Sequence, residues 1–209
     1  MEKAAFFDRS HNSDWALRDY NDEEIGKLNF YMDLAGVTTG SKVLEPGCGT
    51  GRFTAMLAKR VGAEGEVVAV DISSKMLEEC QRRAGHMSNV RILNAAVEKI
   101  QFPKHSFDVI FCLCVFPHFD NKQEVLRGFH RLMQPSGALV IAHLEGSRFL
   151  NRMHSRAGGA VKHDRIPPFA RMEQILGEAD LRIGSFWDKD NGYFLLARPK
   201  GKGSGDVIA

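Results

Sequence analysis

Short, continuously apolar runs alternate along this chain with stretches of helical period, and that alternation narrows the fold more than any other feature. Val67-Val68-Ala69-Val70 contains no polar position, as a strand buried on both faces requires. Val43-Leu44, Val90-Arg91-Ile92-Leu93, Phe107-Asp108-Val109-Ile110-Phe111-Cys112 and Ala138-Leu139-Val140-Ile141-Ala142 read as further strands. Between them lie helical stripes: Phe53, Met56, Leu57 and Val61, then Met76, Leu77, Cys80 and Ala84, then Val125, Leu126, Phe129 and Leu132. Asn21 or Asp22 opens an earlier helix over residues 22–35, with Glu23 and Glu24 in its first turn. Ser73 or Ser74 suits the cap of the 76–84 helix. Asn121 suits the next, which Pro135-Ser136-Gly137 breaks. Strand–helix–strand repetition of this kind predicts βαβ units, a mainly parallel sheet and helices on both of its faces.

The C-terminal third departs from the repeat. Residues 146–168 show little period and contain Gly158-Gly159 and Pro167-Pro168, so they read as a long loop with room for one irregular helix. A last helix carries Phe169, Met172, Ile175, Leu176 and Ala179, and two strands flank Asp190-Asn191-Gly192, a strong hairpin signal. The expected fold is therefore α/β: a doubly wound, Rossmann-like sheet of about seven strands closing in an antiparallel hairpin. One domain is expected over residues 1–198, with 1–38 as a helical lid, 146–168 as a substrate-side loop and 199–209 as a flexible tail.

Bulk properties exclude little but do exclude something. A formal charge of +2 provides no field that selects nucleic acid or a membrane surface. No apolar stretch approaches the ~18 residues of a membrane span. The Phe6-Phe7 run is too short for a signal-peptide core. The expected location is the cytoplasm. Cys48, Cys80, Cys112 and Cys114 form no C-x-x-C pair and are expected as free thiols.

The segment richest in chemistry is Glu45-Pro46-Gly47-Cys48-Gly49-Thr50-Gly51-Arg52, which follows the first strand and precedes a helix. Glycines there let the chain turn sharply and let a ligand approach the backbone. The helix N-terminus behind them presents free N–H groups. A dinucleotide fingerprint would need a glycine at position 52, where Arg52 stands. Asp71 follows Gly51 by 20 residues, at the end of the second strand. A carboxylate at that strand end can accept hydrogen bonds from ribose hydroxyls, or it can cap the helix that Ser73 begins.

This glycine run resembles motif I of the class I S-adenosylmethionine methyltransferases. Ser106-Phe107-Asp108-Val109-Ile110 resembles the opening of that superfamily's fourth strand. Arg131-Leu132-Met133-Gln134-Pro135-Ser136-Gly137-Ala138-Leu139 resembles the block before its fifth. Over residues 40–145 the likeness is greatest to small-molecule methyltransferases of the quinone-biosynthesis type. It implies S-adenosylmethionine as cofactor and S-adenosylhomocysteine as product. It also implies cofactor contacts from Glu45, Gly47, Cys48, Gly49, Gly51, Asp71, Ile72, Ala96, Val97 and Cys112. One departure is Asn94-Ala95-Ala96-Val97-Glu98, which has alanine where relatives often carry an acid after strand three. The backbone of Ala96 or Val97 then takes the adenine, with Asn94 or Glu98 assisting.

A sulfonium methyl is already activated, so the protein has mainly to align the acceptor and exclude water. A base is needed only where the acceptor must lose a proton. His118 lies after strand four. His143 and Glu145 end strand five and, by strand alternation, should point the same way. These three are the candidates for catalysis, against the plainer reading of a packed histidine and a solvated strand end. Arg148, Arg152, Arg156, Lys162, His163 and Arg165 make the 146–168 segment basic, which suits either an acidic small-molecule substrate or mere solvation. The spacing of His118, His143, His154 and His163 matches no standard metal site, and no metal is expected. Aromatics at Phe6, Phe7, Trp15 and Tyr20, with His11, suit an apolar cover. The rival functions are an RNA or protein methyltransferase and a non-catalytic partner subunit. Neither an N-P-P-Y motif nor a basic stripe with interleaved aromatics supports the first.

Overall fold

A computed structural model describes residues 2–201. The helices and strands, in chain order, are α1 (Glu2–Ser10), α2 (Asp14–Leu17), α3 (Asp22–Ala35), β1 (Lys42–Pro46), α4 (Arg52–Val61), β2 (Glu66–Asp71), α5 (Ser74–Ala84), β3 (Val90–Asn94), β4 (Phe107–Leu113), α6 (Lys122–Leu132), β5 (Met133–His143), α7 (Ser147–Ala157), α8 (Phe169–Gly177), β6 (Leu181–Lys189) and β7 (Gly192–Pro199). The strands form one sheet in the order β3-β2-β1-β4-β5-β7-β6. β1 to β5 are parallel, and β7 runs antiparallel to both β5 and β6. This is the expected α/β, Rossmann-like sheet of seven strands with its closing hairpin.

Alternating residues of each strand feed opposite cores. Leu44, Val68, Ile110, Leu139 and Ile141 pack with Leu126 and Phe129 of α6 and Met172 and Leu176 of α8. Val43, Val67, Val109, Phe111 and Val140 pack with Leu28 and Met32 of α3 and Phe53 and Leu57 of α4. The two-sided burial explains why the strands read as unbroken apolar runs.

Local signals set most boundaries. Asn21 and Glu24 form a reciprocal capping box at the start of α3, and Gly36 closes that helix in the left-handed region at φ 78°. Ser73 Oγ accepts the Met76 N–H, and Asn121 accepts the Glu124 N–H. Two expectations change. Pro135-Ser136-Gly137 does not end α6, because β5 begins at Met133. The triplet sits instead in a register shift where Phe107 pairs with Met133 and Val109 with Ala138. Residues 147–157 form a regular helix rather than a loop, burying Leu150 and His154. Its buried stripe is so narrow, and half polar, that periodicity does not reveal it. Pro199 pairs with Leu181, and the Lys200 N–H donates to the Asp180 carbonyl at 2.8 Å, so residues 199 and 200 belong to the sheet edge rather than to the expected tail. Residues 202–209 lie outside the described residues. Among the described residues, no helix is long and apolar enough to cross a membrane.

Gly51 illustrates how the fold constrains its turn. It has φ 79°, and a Cβ there would lie 2.8 Å from Cys80 Sγ and 2.9 Å from Cys80 Cα. α4 and α5 meet only because position 51 is bare. Gly51→Ala is expected to destabilise the protein by about 2 kcal/mol or more, combining left-handed strain with the clash. Thermal denaturation reads this, and a melting point equal to wild type would refute the packing role.

Candidate functional site

The C-terminal ends of β1, β2 and β4 open on one cavity of about 350 Å³. It lies where strand order reverses between β1 and β4, the place an open parallel sheet offers a ligand. Gly47 and Gly49 both take left-handed φ, 68° and 54°. A Cβ on Gly47 would lie 2.2 Å from Val115 Cγ2, so the first turn and the segment after β4 approach closer than any side chain permits. The Gly47 and Cys48 N–H groups donate to the Val70 carbonyl at 2.7 and 3.1 Å, tying the turn to β2.

Two carboxyl groups lie on this wall in unlike settings. Asp71 accepts the Gly49 N–H on Oδ2 at 2.9 Å and the Ser73 N–H on Oδ1 at 2.8 Å. Burial pushes its carboxyl above the ordinary value, against the opposing N–H bonds of Ser73, Gly49 and Ile72. Of its roughly four acceptor positions, some remain free. Glu45 is only 2% exposed, and its Oε2 accepts the Thr54 hydroxyl at 2.6 Å. Burial pushes the Glu45 carboxyl well above the ordinary range.

The other expected residues divide. Cys48, Ile72, Ala96, Val97 and His118 line the cavity, as does Glu98. Gly51 does not: its bareness serves the contact with Cys80. Cys112 lies fully buried in the core, and the wall after β4 comes from Leu113, Cys114 and Val115 instead. Cys114 holds φ 57°, unusual for a residue with a Cβ and found often at functional sites. Asn94 is spent elsewhere, donating its amide to the Asp71 carbonyl at 3.0 Å.

His143 and Glu145 are both off the cavity wall, and they do not share surroundings. β5 ends at His143, so strand alternation does not carry to Glu145, whose charge acts on Arg18 and Cys114. His143 is 1% exposed, with neither ring nitrogen hydrogen-bonded, and its ring stands edge-on to Tyr193. Burial, helped by the nearby charges of His118 and His154, pushes its pKa down to about 3. None of Arg148, Arg152, Arg156, Lys162, His163 and Arg165 lines the cavity. Among the described residues no set of three His, Cys, Asp or Glu side chains is arranged to hold a metal ion.

The N-terminal segment closes the remaining side. Phe7, Trp15 and Tyr20 line the cavity, and Phe6 and His11 do not. Asp8 Oδ1 accepts the Ser73 hydroxyl at 2.6 Å and the Lys75 N–H at 3.2 Å, so α1 caps the start of α5. Arg52 stacks over the Tyr20 ring at 4.5 Å and donates to the Arg18 carbonyl at 2.8 Å. Arg52 drew notice in the sequence only as a missing glycine. Lys3 and Asp164 carried no signal there at all.

A parallel sheet in this order, with a glycine turn and an acid at the switch point, defines a nucleoside-binding α/β domain. Residues 43–137 match the model of a methyltransferase domain family. The chain is 38% identical over 115 residues to the ubiquinone/menaquinone biosynthesis C-methyltransferase UbiE of Idiomarina loihiensis, covering 54% of this chain and 46% of that protein. It is 32% identical over 154 residues to the protein of the same name from Azotobacter vinelandii, covering 72% and 59%. The chain thus spans about half the length of the curated relatives it matches. A solved SAM-dependent methyltransferase from Aquifex aeolicus superposes with a TM-score of 0.66 at 21% identity, over 92% of this chain and 97% of that one. The 1,6-didemethyltoxoflavin-N1-methyltransferase of Burkholderia thailandensis superposes at 0.68 and 18% identity, over 95% and 88%. Residues 43–137 are thus similar to a methyltransferase domain family, and the fold is that of the methyltransferases with which the chain superposes.

The setting of His143 has a measurable consequence. An unfolded chain takes up a proton near pH 6.5, whereas folded His143 stays neutral to about pH 3. Acidification across that window therefore favours unfolding, by about 1.4 kcal/mol for each pH unit. His143→Leu removes this loss and also removes two unbonded buried nitrogens. Denaturant unfolding at about pH 7 and about pH 5 should show a smaller acid penalty in the variant. Equal penalties would show that His143 is not held neutral.

Proposed function

We propose that this protein is an enzyme that transfers a methyl group from S-adenosylmethionine to a small-molecule acceptor and releases S-adenosylhomocysteine. The observation that carries the reading is the pairing of a bare glycine turn with the Asp71 carboxylate on one wall of the switch-point cavity. The residues fit the cofactor. Gly47 and Gly49 leave backbone exposed to a ligand, and Asp71 keeps acceptor positions free for two ribose hydroxyls. Ile72 would flank the adenine, and the Ala96 and Val97 backbone, with Glu98, would meet its edge. Glu45 and Cys48 would face the methionine part, beside the start of α4. The cofactor supplies a methyl group already activated on a sulfonium. Phe7, Trp15, Tyr20 and Val115 keep water from it. An acidic group on the acceptor has Arg52 to meet. The names of the curated relatives make the ring carbon of a quinol the first acceptor to test.

Calorimetric titration should show micromolar binding of S-adenosylmethionine and S-adenosylhomocysteine and none of NAD. Asp71→Ala is expected to weaken both by at least about 2 kcal/mol, roughly 30-fold. Undiminished affinity would remove Asp71 from the ribose.

Glu45 separates binding from stability. Its raised pKa means that the folded state keeps a proton which the unfolded chain releases above pH 4.5. Stability therefore falls as pH rises through that region. Glu45→Gln removes the penalty and retains an acceptor for Thr54. It should raise stability at neutral pH by about 1 kcal/mol or more, while weakening the cationic cofactor. A variant less stable than wild type at neutral pH would overturn this account.

A further inference from the structure

Behind His118 and Lys3 on the cavity wall lies a second polar assembly. Asp164, in the segment between α7 and α8, is 8% exposed and far in sequence from any motif. Its carboxylate meets two side chains from distant elements. Oδ2 lies 2.7 Å from His118 Nδ1, and Oδ1 lies 3.0 Å from Lys3 Nζ of α1. Its backbone carbonyl accepts from His154 Nδ1 of α7 at 3.1 Å and from Arg165 at 3.0 Å. Lys3 also donates to the His118 carbonyl at 2.7 Å and to Asp120 at 2.6 Å. Burial raises the Asp164 carboxyl, but the bonds from His118 and Lys3 outweigh it and hold the group below the ordinary value.

We propose that Asp164 is a positioning residue that fixes His118 as the proton acceptor for the methyl acceptor, an inference that rests on the methyl-transfer reading. An ionised carboxylate only accepts hydrogen bonds, so His118 Nδ1 must carry the hydrogen that lies between them. In the neutral ring the lone pair is then on Nε2, and His118 is on the cavity wall. The ring cannot swing freely. Phe7 stands edge-on to it with centroids 5.1 Å apart, and His154 packs on another side at 4.9 Å. A base held by a third group is the arrangement that activates nucleophiles in general. His143 from β5, His154 from α7, Lys3 from α1, Asp120 before α6, Lys122 at its start and Arg165 beside Asp164 are the other titratable groups around this assembly.

The step balances. His118 Nε2 takes the hydroxyl proton of the acceptor. The electron pair it leaves forms the new bond to the methyl carbon, from that oxygen or through the ring from the carbon beside it, and the carbon–sulfur pair stays on sulfur. Where the bond forms at carbon, that carbon loses its hydrogen as a proton while the oxygen regains one from solvent. The products are the methylated acceptor, neutral S-adenosylhomocysteine and an imidazolium facing the Asp164 carboxylate, which later returns its proton to solvent. Lys3 ties this to the cover: α1 brings both Phe7 and the ammonium that holds the second carboxylate oxygen, so the base is oriented when the N-terminal segment is docked.

Nitrogen-15 spectroscopy of the histidine rings tests this on the S-adenosylhomocysteine complex, with His118→Gln identifying the His118 signals. The expected wild-type result at mildly alkaline pH is a neutral His118 with hydrogen on Nδ1 and a pyridine-like Nε2. Hydrogen on Nε2 instead would overturn the proposal, and this reading needs no variant to fold. In Asp164→Asn and Asp164→Ala the preference for Nδ1–H should be lost while S-adenosylhomocysteine affinity changes less than about twofold. A ring unchanged in both variants overturns the positioning role. With 1,4-dihydroxynaphthalene as acceptor probe, His118→Gln should lower methyl transfer about 100-fold or more, the size of a lost general base. A rate equal to wild type overturns it. Failure of the wild-type protein to bind S-adenosylhomocysteine would instead strike the methyl-transfer reading, and the ring spectrum of the free protein would still report the tautomer.

Discussion

The reversal of strand order between β1 and β4 is the constraint from which the rest follows. A sheet apolar on both faces must send its crossovers to either side, and the side changes at that point. The turns leaving β1 and β4 therefore diverge, and a crevice opens between them. Van der Waals contact limits how narrow it becomes. Gly47 against Val115 is the closest approach, and only a bare α-carbon allows it. The glycine turn is thus required by sheet geometry before any ligand is considered, and it leaves the backbone accessible to one.

Asp71 turns that crevice into a rigid site. Its carboxylate bridges the Gly49 N–H of the first turn and the Ser73 N–H at the start of α5. Ser73 in turn donates to Asp8 of α1. A continuous hydrogen-bond chain therefore runs from α1 through the β2 end to the glycine turn. Such a chain lets α1 dock in one orientation, because each N–H and hydroxyl donor along it is committed.

The sheet was legible from the sequence because its rule is strict. Two-sided burial demands unbroken apolar runs, and the Asn21–Glu24 box and the Asp190-Asn191-Gly192 turn are local chemistry that tertiary contacts do not override. Part of the cavity lining was legible for the same reason, since Gly47, Gly49, Asp71 and Ile72 sit within a few residues of strand ends. What failed was inference past those ends. Cys112 obeys strand alternation and so belongs to the core, whereas the wall begins one residue later, where the strand stops. Glu145 was assigned by an alternation that ends at His143. α7 was hidden because a histidine supplies half of its buried stripe. Asp164 was out of reach because its meaning depends on His118, 46 residues away, and on Lys3, near the other end of the chain.

Acidic side chains on the cavity wall and behind it are treated in opposite ways. Beside the glycine turn, burial outweighs hydrogen bonding, and Glu45 and Asp71 are both pushed towards the protonated form. Behind His118, that residue and Lys3 outweigh burial and keep Asp164 ionised. The difference lies in the partners. Glu45 and Asp71 receive neutral donors, a hydroxyl and backbone N–H groups, whereas Asp164 faces an ammonium. A buried acid lacking a charged partner is completed by a cation from outside, and a sulfonium nucleoside with an ammonium group provides one. An acid already matched by an internal cation gains nothing from a cationic ligand. It is free to hold an imidazole and to balance the charge that appears when that ring takes a proton. Charge pairing thus distinguishes the acids that the proposed cofactor would complete from the one that would steady the proposed base.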